Sequence, residues 1–130
     1  MKDLIAAFPK HLESALEIGR NTRFSTGIIN PKNVLIIGLG GSGIGGTIVR
    51  EWVSNNITVP VRAVKSYFIP GWVNQDTLVI ACSYSGNTEE TLSAFDAARE
   101  RGAQLACISS GGALLDMAKK EGLNHIQIPG

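Results

Sequence analysis

Two stretches of this chain combine glycine with hydroxyl side chains. The longer hydroxyl cluster is Ser83-Tyr84-Ser85-Gly86-Asn87-Thr88-Glu89-Glu90, directly after the apolar run Leu78-Val79-Ile80-Ala81-Cys82. Such a run reads as a buried strand, and the residues after the loop have helical periodicity. The spacing Asn87-x-x-Glu90 predicts an N-cap in which Asn87 accepts from an orphan N–H and Glu90 reaches back. Thr88 then falls in the first helical turn. A helix start offers unpaired N–H donors and about half a positive charge. Ser83, Ser85 and Thr88 add hydroxyl donors, and Gly86 lets the backbone approach closely. The loop has no Lys or Arg. Its chemistry is therefore the holding of a phosphate-sized anion by neutral donors, although an ordinary strand-to-helix turn uses the same residue types.

The other stretch, Gly38-Leu39-Gly40-Gly41-Ser42-Gly43-Ile44-Gly45-Gly46, follows a second apolar run, Asn33 to Gly38. Gly38, Gly40 and Gly43 satisfy the G-x-G-x-x-G pattern of dinucleotide sites. Such a site also needs an acid at the end of the next strand to hold the ribose. Arg62-Ala63-Val64-Lys65-Ser66 supplies none there. Lys65 is compatible with a 2′-phosphate, which keeps NADP open, but that reading leaves Ser83–Thr88 idle. A single phosphomonoester uses both loops. Ser42 would face Ser83, Ser85 and Thr88, with Gly40, Gly41, Gly43, Gly86 and Asn87 shaping the backbone around it. At about 1.5–3 kcal/mol per hydrogen bond to a charged acceptor, four contacts give micromolar to millimolar binding after association costs.

The elements that carry these loops alternate regularly. Pro9 at a first helical position predicts a leading helix over about 9–19, with Leu12, Ala15 and Leu16 on one face. The first strand is Asn33–Gly38, followed by a helix with Ile44, Ile48, Val49, Trp52 and Val53 on one side. Ile57 to Val64 alternates and contains Pro60, which predicts an edge strand. Tyr67, Phe68, Pro70 and Trp72 then read as a loop whose aromatics pack on the body. Further strands are Thr77–Cys82, Gln104–Ile108 and Asn124–Ile128. Helices run from Thr88 to Arg101, with Leu92, Phe95 and Ala98 inward, and through Leu115, Ala118 and Lys119. With no hairpin signals, this predicts an α/β fold: a three-layer, doubly wound, five-stranded parallel sheet of order 2-1-3-4-5, flavodoxin-like in winding. Its switch point lies between the two strands that feed the two loops.

Composition bounds the function. The 130 residues are 44% hydrophobic, enough for one domain with its own core. A net charge of +1 speaks against a nucleic-acid surface. No apolar run reaches membrane-spanning length and Met1-Lys2-Asp3 opens no signal peptide, so a soluble, cytoplasmic protein without a membrane partner is expected. Cys82 and Cys107 read as buried, reduced thiols. His11 and His125 form no metal-ligand spacing with them, and His125 sits in a strand pattern as a structural residue.

The two loops, with Ser109-Ser110-Gly111-Gly112 and Tyr67-x-x-Pro70, resemble the sugar isomerase (SIS) domain. Within that family they are most similar to the first domain of the bifunctional phosphoglucose/phosphomannose isomerases, over about Pro9 to Gly130. The resemblance implies that Ser42, Ser83, Ser85 and Thr88 bind the phosphate of a hexose 6-phosphate. It implies aldose–ketose isomerisation through a cis-enediol, with a Glu as base and no metal or organic cofactor, in homodimers of two-domain chains. Gly43 and Thr47 stand where many relatives have Ala and Asp. The family's Arg, base Glu, His and Lys fall beyond Pro129-Gly130, so the resemblance assigns no catalytic residue to this chain, nor a second SIS domain. Glu89 and Glu90 do not replace that base. A sugar-phosphate sensor, which keeps the loops and needs no base, is the alternative.

Overall fold

Short apolar runs become the strands β1 (Asn33–Gly38), β2 (Val61–Val64), β3 (Thr77–Cys82), β4 (Gln104–Ser109) and β5 (Asn124–Gln127). The computed structural model describes residues 1–24 and 27–130. Its strands pair in the order β2-β1-β3-β4-β5, every pairing parallel. The helices are α1 (Lys2–Asn21), α2 (Gly40–Val53), α3 (Glu89–Glu100) and α4 (Gly112–Lys120). The expected doubly wound α/β fold and strand order are borne out.

Side chains alternate across a strand, and this sorts the core into faces. Leu35, Ile37 and Val79 meet Ala94 and Ala98 of α3 on one face. Ala81 and Cys107 continue that face under Phe95 of α3 and Leu114 and Ala118 of α4. Phe95 is fully buried, and a side chain of its size contributes about 1.5–3 kcal/mol by leaving water. The opposite face of β1 and β2 is covered by α2. Small residues set that contact: a Cβ on Gly46 would lie 2.8 Å from Ile36 Cγ2.

The inner surface of α2 is therefore not the apolar side that the sequence marks out. Gly43 and Gly46 are the residues buried against the sheet. Ile44, Ile48, Val49 and Trp52 point away, with Trp52 77% exposed. A glycine stripe brings the helix axis too near the strands for large side chains between them, so the apolar residues occupy the outer surface.

Other boundaries move as well. α1 begins at Lys2 and carries Pro9 inside it. Leu4, Ile5 and Phe8 extend the i, i+4 pattern of Leu12 and Leu16 upstream, and Pro9 removes only one hydrogen bond of the ladder. No residue of α1 is buried. β2 is confined to Val61–Val64, because Pro60 has no N–H for a ladder; its carbonyl accepts from Val34 N at 2.9 Å. In the loop after β2, Ile69 and Val73 pack on the core, whereas Phe68 is 84% exposed and Tyr67 and Trp72 are also exposed. The expected aromatic packing is thus made by aliphatic neighbours. Cys82 and Cys107 are free thiols, and His125 Nδ1 lies 2.9 Å from the Leu123 carbonyl oxygen. No helix among the described residues is long and apolar enough to cross a membrane.

Candidate functional site

Parallel pairing fixes where the two glycine-rich loops leave the sheet. Gly38 of β1 lies opposite Cys82 of β3, so both chains depart side by side at the carboxyl edge. Strand order reverses between them, which makes this the ligand crevice of an open α/β sheet.

On the β1 side, α2 starts almost at once. Leu39 is its extended N-cap residue and no side chain caps the exposed N–H groups. Gly40, Gly41 and Ser42 form the first turn, which contains no acidic residue. Ser42 is half-buried and Gly43 buried. Gly41 and Gly43, expected in a loop, are thus helical, Gly40 starts the helix at a φ of +55°, and the N–H groups of this turn form the positive end of the helix dipole.

On the β3 side, the loop is tied to itself and to its neighbour. Ser83 is buried, continues the sheet through its N–H to the Ile108 carbonyl at 3.1 Å, and receives Gly86 N on its Oγ at 3.1 Å. Ser83 Oγ and Thr88 Oγ1 are 3.0 Å apart. Ser85 Oγ accepts from Asn87 N at 3.2 Å. A hydroxyl has one hydrogen to donate and two lone pairs to accept with. Accepting from backbone leaves the Ser85 hydrogen for a ligand, while the Ser83–Thr88 pair spends one hydrogen internally and keeps one. With Ser42, the crevice therefore offers hydroxyl hydrogens from three sources, not four.

The capping arrangement is also revised. Thr88, not Asn87, is the N-cap residue of α3, and no side-chain cap bond forms there. Asn87 Oδ1 instead accepts from Ala113 N at 2.9 Å, capping α4. Glu89 and Glu90 occupy the first turn of α3. The neighbouring loop explains this exchange. Leu114 N donates to the Gly86 carbonyl at 2.9 Å, and both Ser110 N and Ser110 Oγ donate to the Tyr84 carbonyl, at 3.1 and 2.6 Å. Ser109–Gly112 is thus a brace for the candidate site. Its own Ser-Gly composition was the sequence signal for it, but the partner across the sheet was not.

Beyond β2, an open groove of about 610 Å³ lies along Lys65, Phe68, Pro70 and Trp72. Tyr67, from the same loop, has its phenol pKa raised by desolvation first and then by Glu89 and Glu90. Burial pushes both thiols, Cys82 and Cys107, up to about 11. At neutral pH they are protonated and supply no nucleophile at the foot of the loop.

The SIS domain family matches residues 27–119. A bifunctional phosphoglucose/phosphomannose isomerase of Caldicellulosiruptor bescii is 42% identical over 129 residues, covering 99% of this chain and 38% of that protein. One of the same name from Thermoplasma acidophilum is 47% identical over 107 residues, covering 82% of this chain and 32% of its own length. The chain thus spans well under half the length of these relatives. In structure it is similar to tagatose-6-phosphate ketose/aldose isomerase from Escherichia coli, with a TM-score of 0.66, 18% identity, and coverage of 99% of this chain and 36% of that one. Sheet order, paired loops and family match agree: the chain belongs to the SIS domain family.

Proposed function

We propose that residues 1–130 form a SIS domain that holds the phosphate of a hexose 6-phosphate for aldose–ketose isomerisation. The reaction would interconvert glucose 6-phosphate or mannose 6-phosphate with fructose 6-phosphate. Ser42, Ser85 and the Ser83–Thr88 pair grip the phosphate together with the first-turn N–H groups of α2. The single observation that carries this reading is the pairing of Gly38 with Cys82, which seats an uncapped helix start beside a hydroxyl loop.

A phosphate fixed at this edge anchors one end of an open-chain sugar. Ring opening then exposes C1 and C2, and a base moves a proton between them through a cis-enediol. This chain supplies the grip and orientation in that scheme. Glu89 and Glu90 sit in the first turn of α3, and the reading gives neither of them the proton. The base comes from the part of the isomerase that these residues do not span. The intact enzyme is read as a cytoplasmic homodimer needing no metal or organic cofactor, and the exposed apolar residues of α1 and α2 favour a further protein contact.

The test is turnover. The intact polypeptide is assayed with glucose 6-phosphate and mannose 6-phosphate, following fructose 6-phosphate. Conversion of both supports the reading. Saturable binding of fructose 6-phosphate without turnover of either substrate makes the protein a sensor instead.

A further inference from the structure

Lys65 brings a positive charge to the uncapped start of α2. β2 pairs with β1 through Ile37 and Val64, so Lys65 follows in line with Gly38. Alternation places it on the same side as Ala63, the side covered by α2. Its stem runs against the first turn of that helix. The Cβ that Gly43 lacks would lie 3.0 Å from Lys65 Cε and 2.6 Å from the Gly38 carbonyl oxygen. The absent side chain at position 43 is the room in which the lysine lies. Its ammonium nitrogen stands one further bond, about 1.5 Å, past Cε.

No ion pair among the described residues engages Lys65; the pairs they form engage Lys32, Arg50 and Arg99. The first turn of α2 has no carboxylate either. An anion held by the N–H groups of that turn would lie close to the ammonium, and a screening length of about 8 Å at physiological salt leaves their attraction in place. A lysine acts on phosphate as a compact point charge, so its contribution grows with the charge of the ligand.

We propose that Lys65 is a specificity residue of this site, selecting doubly charged phosphate monoesters over uncharged sugars. The inference rests on the phosphosugar reading above. The neutral hydroxyls recognise the shape of a phosphate, and Lys65 recognises its charge.

Calorimetric titration of the intact polypeptide with fructose 6-phosphate and with fructose, at low and at raised salt, tests this. Lys65→Met keeps the stem and removes the charge. Lys65→Arg restores the charge, and Lys65→Gln stands in should the Met variant not fold. The wild type is expected to bind fructose 6-phosphate, weakening as salt rises, and to bind fructose far less. Lys65→Met should weaken fructose 6-phosphate about tenfold and lose most of the salt dependence, with Lys65→Arg within about threefold of wild type. Equal affinity and equal salt dependence in wild type and Lys65→Met would overturn the role of Lys65 and leave the phosphosugar reading standing. Failure of the wild type to bind fructose 6-phosphate would remove both.

Discussion

At the end of β1 the chain turns into α2 through backbone alone: Leu39 contributes no cap bond, and Gly40 and Gly41 expose their N–H groups. At the end of β3 the chain first ties Ser83, Ser85 and Thr88 into local hydrogen bonds, then passes two glutamates before α3 is under way. Neither helix start has a side-chain cap, but one is bare of hydrogen-bonded hydroxyls and free of acid, while the other is furnished with them and acidic. A hydroxyl-rich loop is therefore not automatically the main donor to an anion. The β3 loop is a rigid wall whose outward hydrogens are few and fixed, and the α2 start is where uncapped donors stand without an acid beside them. Rigidity matters because a donor already held in place loses little entropy when the ligand arrives.

The comparison breaks most visibly at Gly86. Its φ is +71°, and an added Cβ would lie 1.8 Å from the Gly111 carbonyl oxygen. Gly86→Ala should destabilise the fold by about 3 kcal/mol or more, through backbone strain and loss of the brace. Urea unfolding measures this, and a stability close to wild type would show that the wall is not braced there. A finer cut separates wall from donor. Ser83→Ala orphans Gly86 N–H in a buried site and should remove about 1–3 kcal/mol of stability. Ser85→Ala, at an exposed position, should leave stability within about 0.5 kcal/mol yet weaken hexose-phosphate binding by about 1–3 kcal/mol. Equal effects of the two on stability would erase the distinction.

The sheet was legible because parallel strands buried on both faces must be short apolar runs, and β1, β3 and β4 are. The location of the site was legible too, since strand order and loop composition point to one edge. What escaped was everything decided between elements. Asn87 has a cap sequence for its own helix, but Ala113 N, in the first turn of α4 and 26 residues on, competes for the same oxygen and wins. The apolar residues of α2 look like an inner face because periodicity reports a stripe without saying which stripe meets the sheet. Here Gly43 and Gly46 meet it. Lys65 carried a signal only for the rival dinucleotide reading, where it kept NADP open, because its neighbour Gly43 is remote in sequence.

Asn87 offers a smaller effect on the same contrast. If its oxygen caps α4, Asn87→Ala costs about 1 kcal/mol of stability, and the increase in amide exchange appears at Ala113 in α4. Were the sequence reading right instead, the loosened amides would be those of α3. Stability alone cannot separate the two, but the position of the faster amides does.

The smallest effect concerns the acid at the start of α3. Tyr67 titrates above the ordinary phenol because it is desolvated and because Glu89 and Glu90 oppose a phenolate beside them. Changing both to Gln removes the second cause and keeps the first. The Tyr67 midpoint, read by ultraviolet absorbance in a Tyr84→Phe background, should fall toward the ordinary value without reaching it. The sign follows from charge: a carboxylate favours the protonated phenol, so neutralising it lets the proton leave at lower pH. The same change should tighten phosphate binding slightly, because the crevice loses two negative charges on its furnished side and keeps Lys65 on its bare one. A Tyr67 midpoint that does not move would mean that α3's acids do not reach across the crevice, and the asymmetry between the two helix starts would then rest on Lys65 alone.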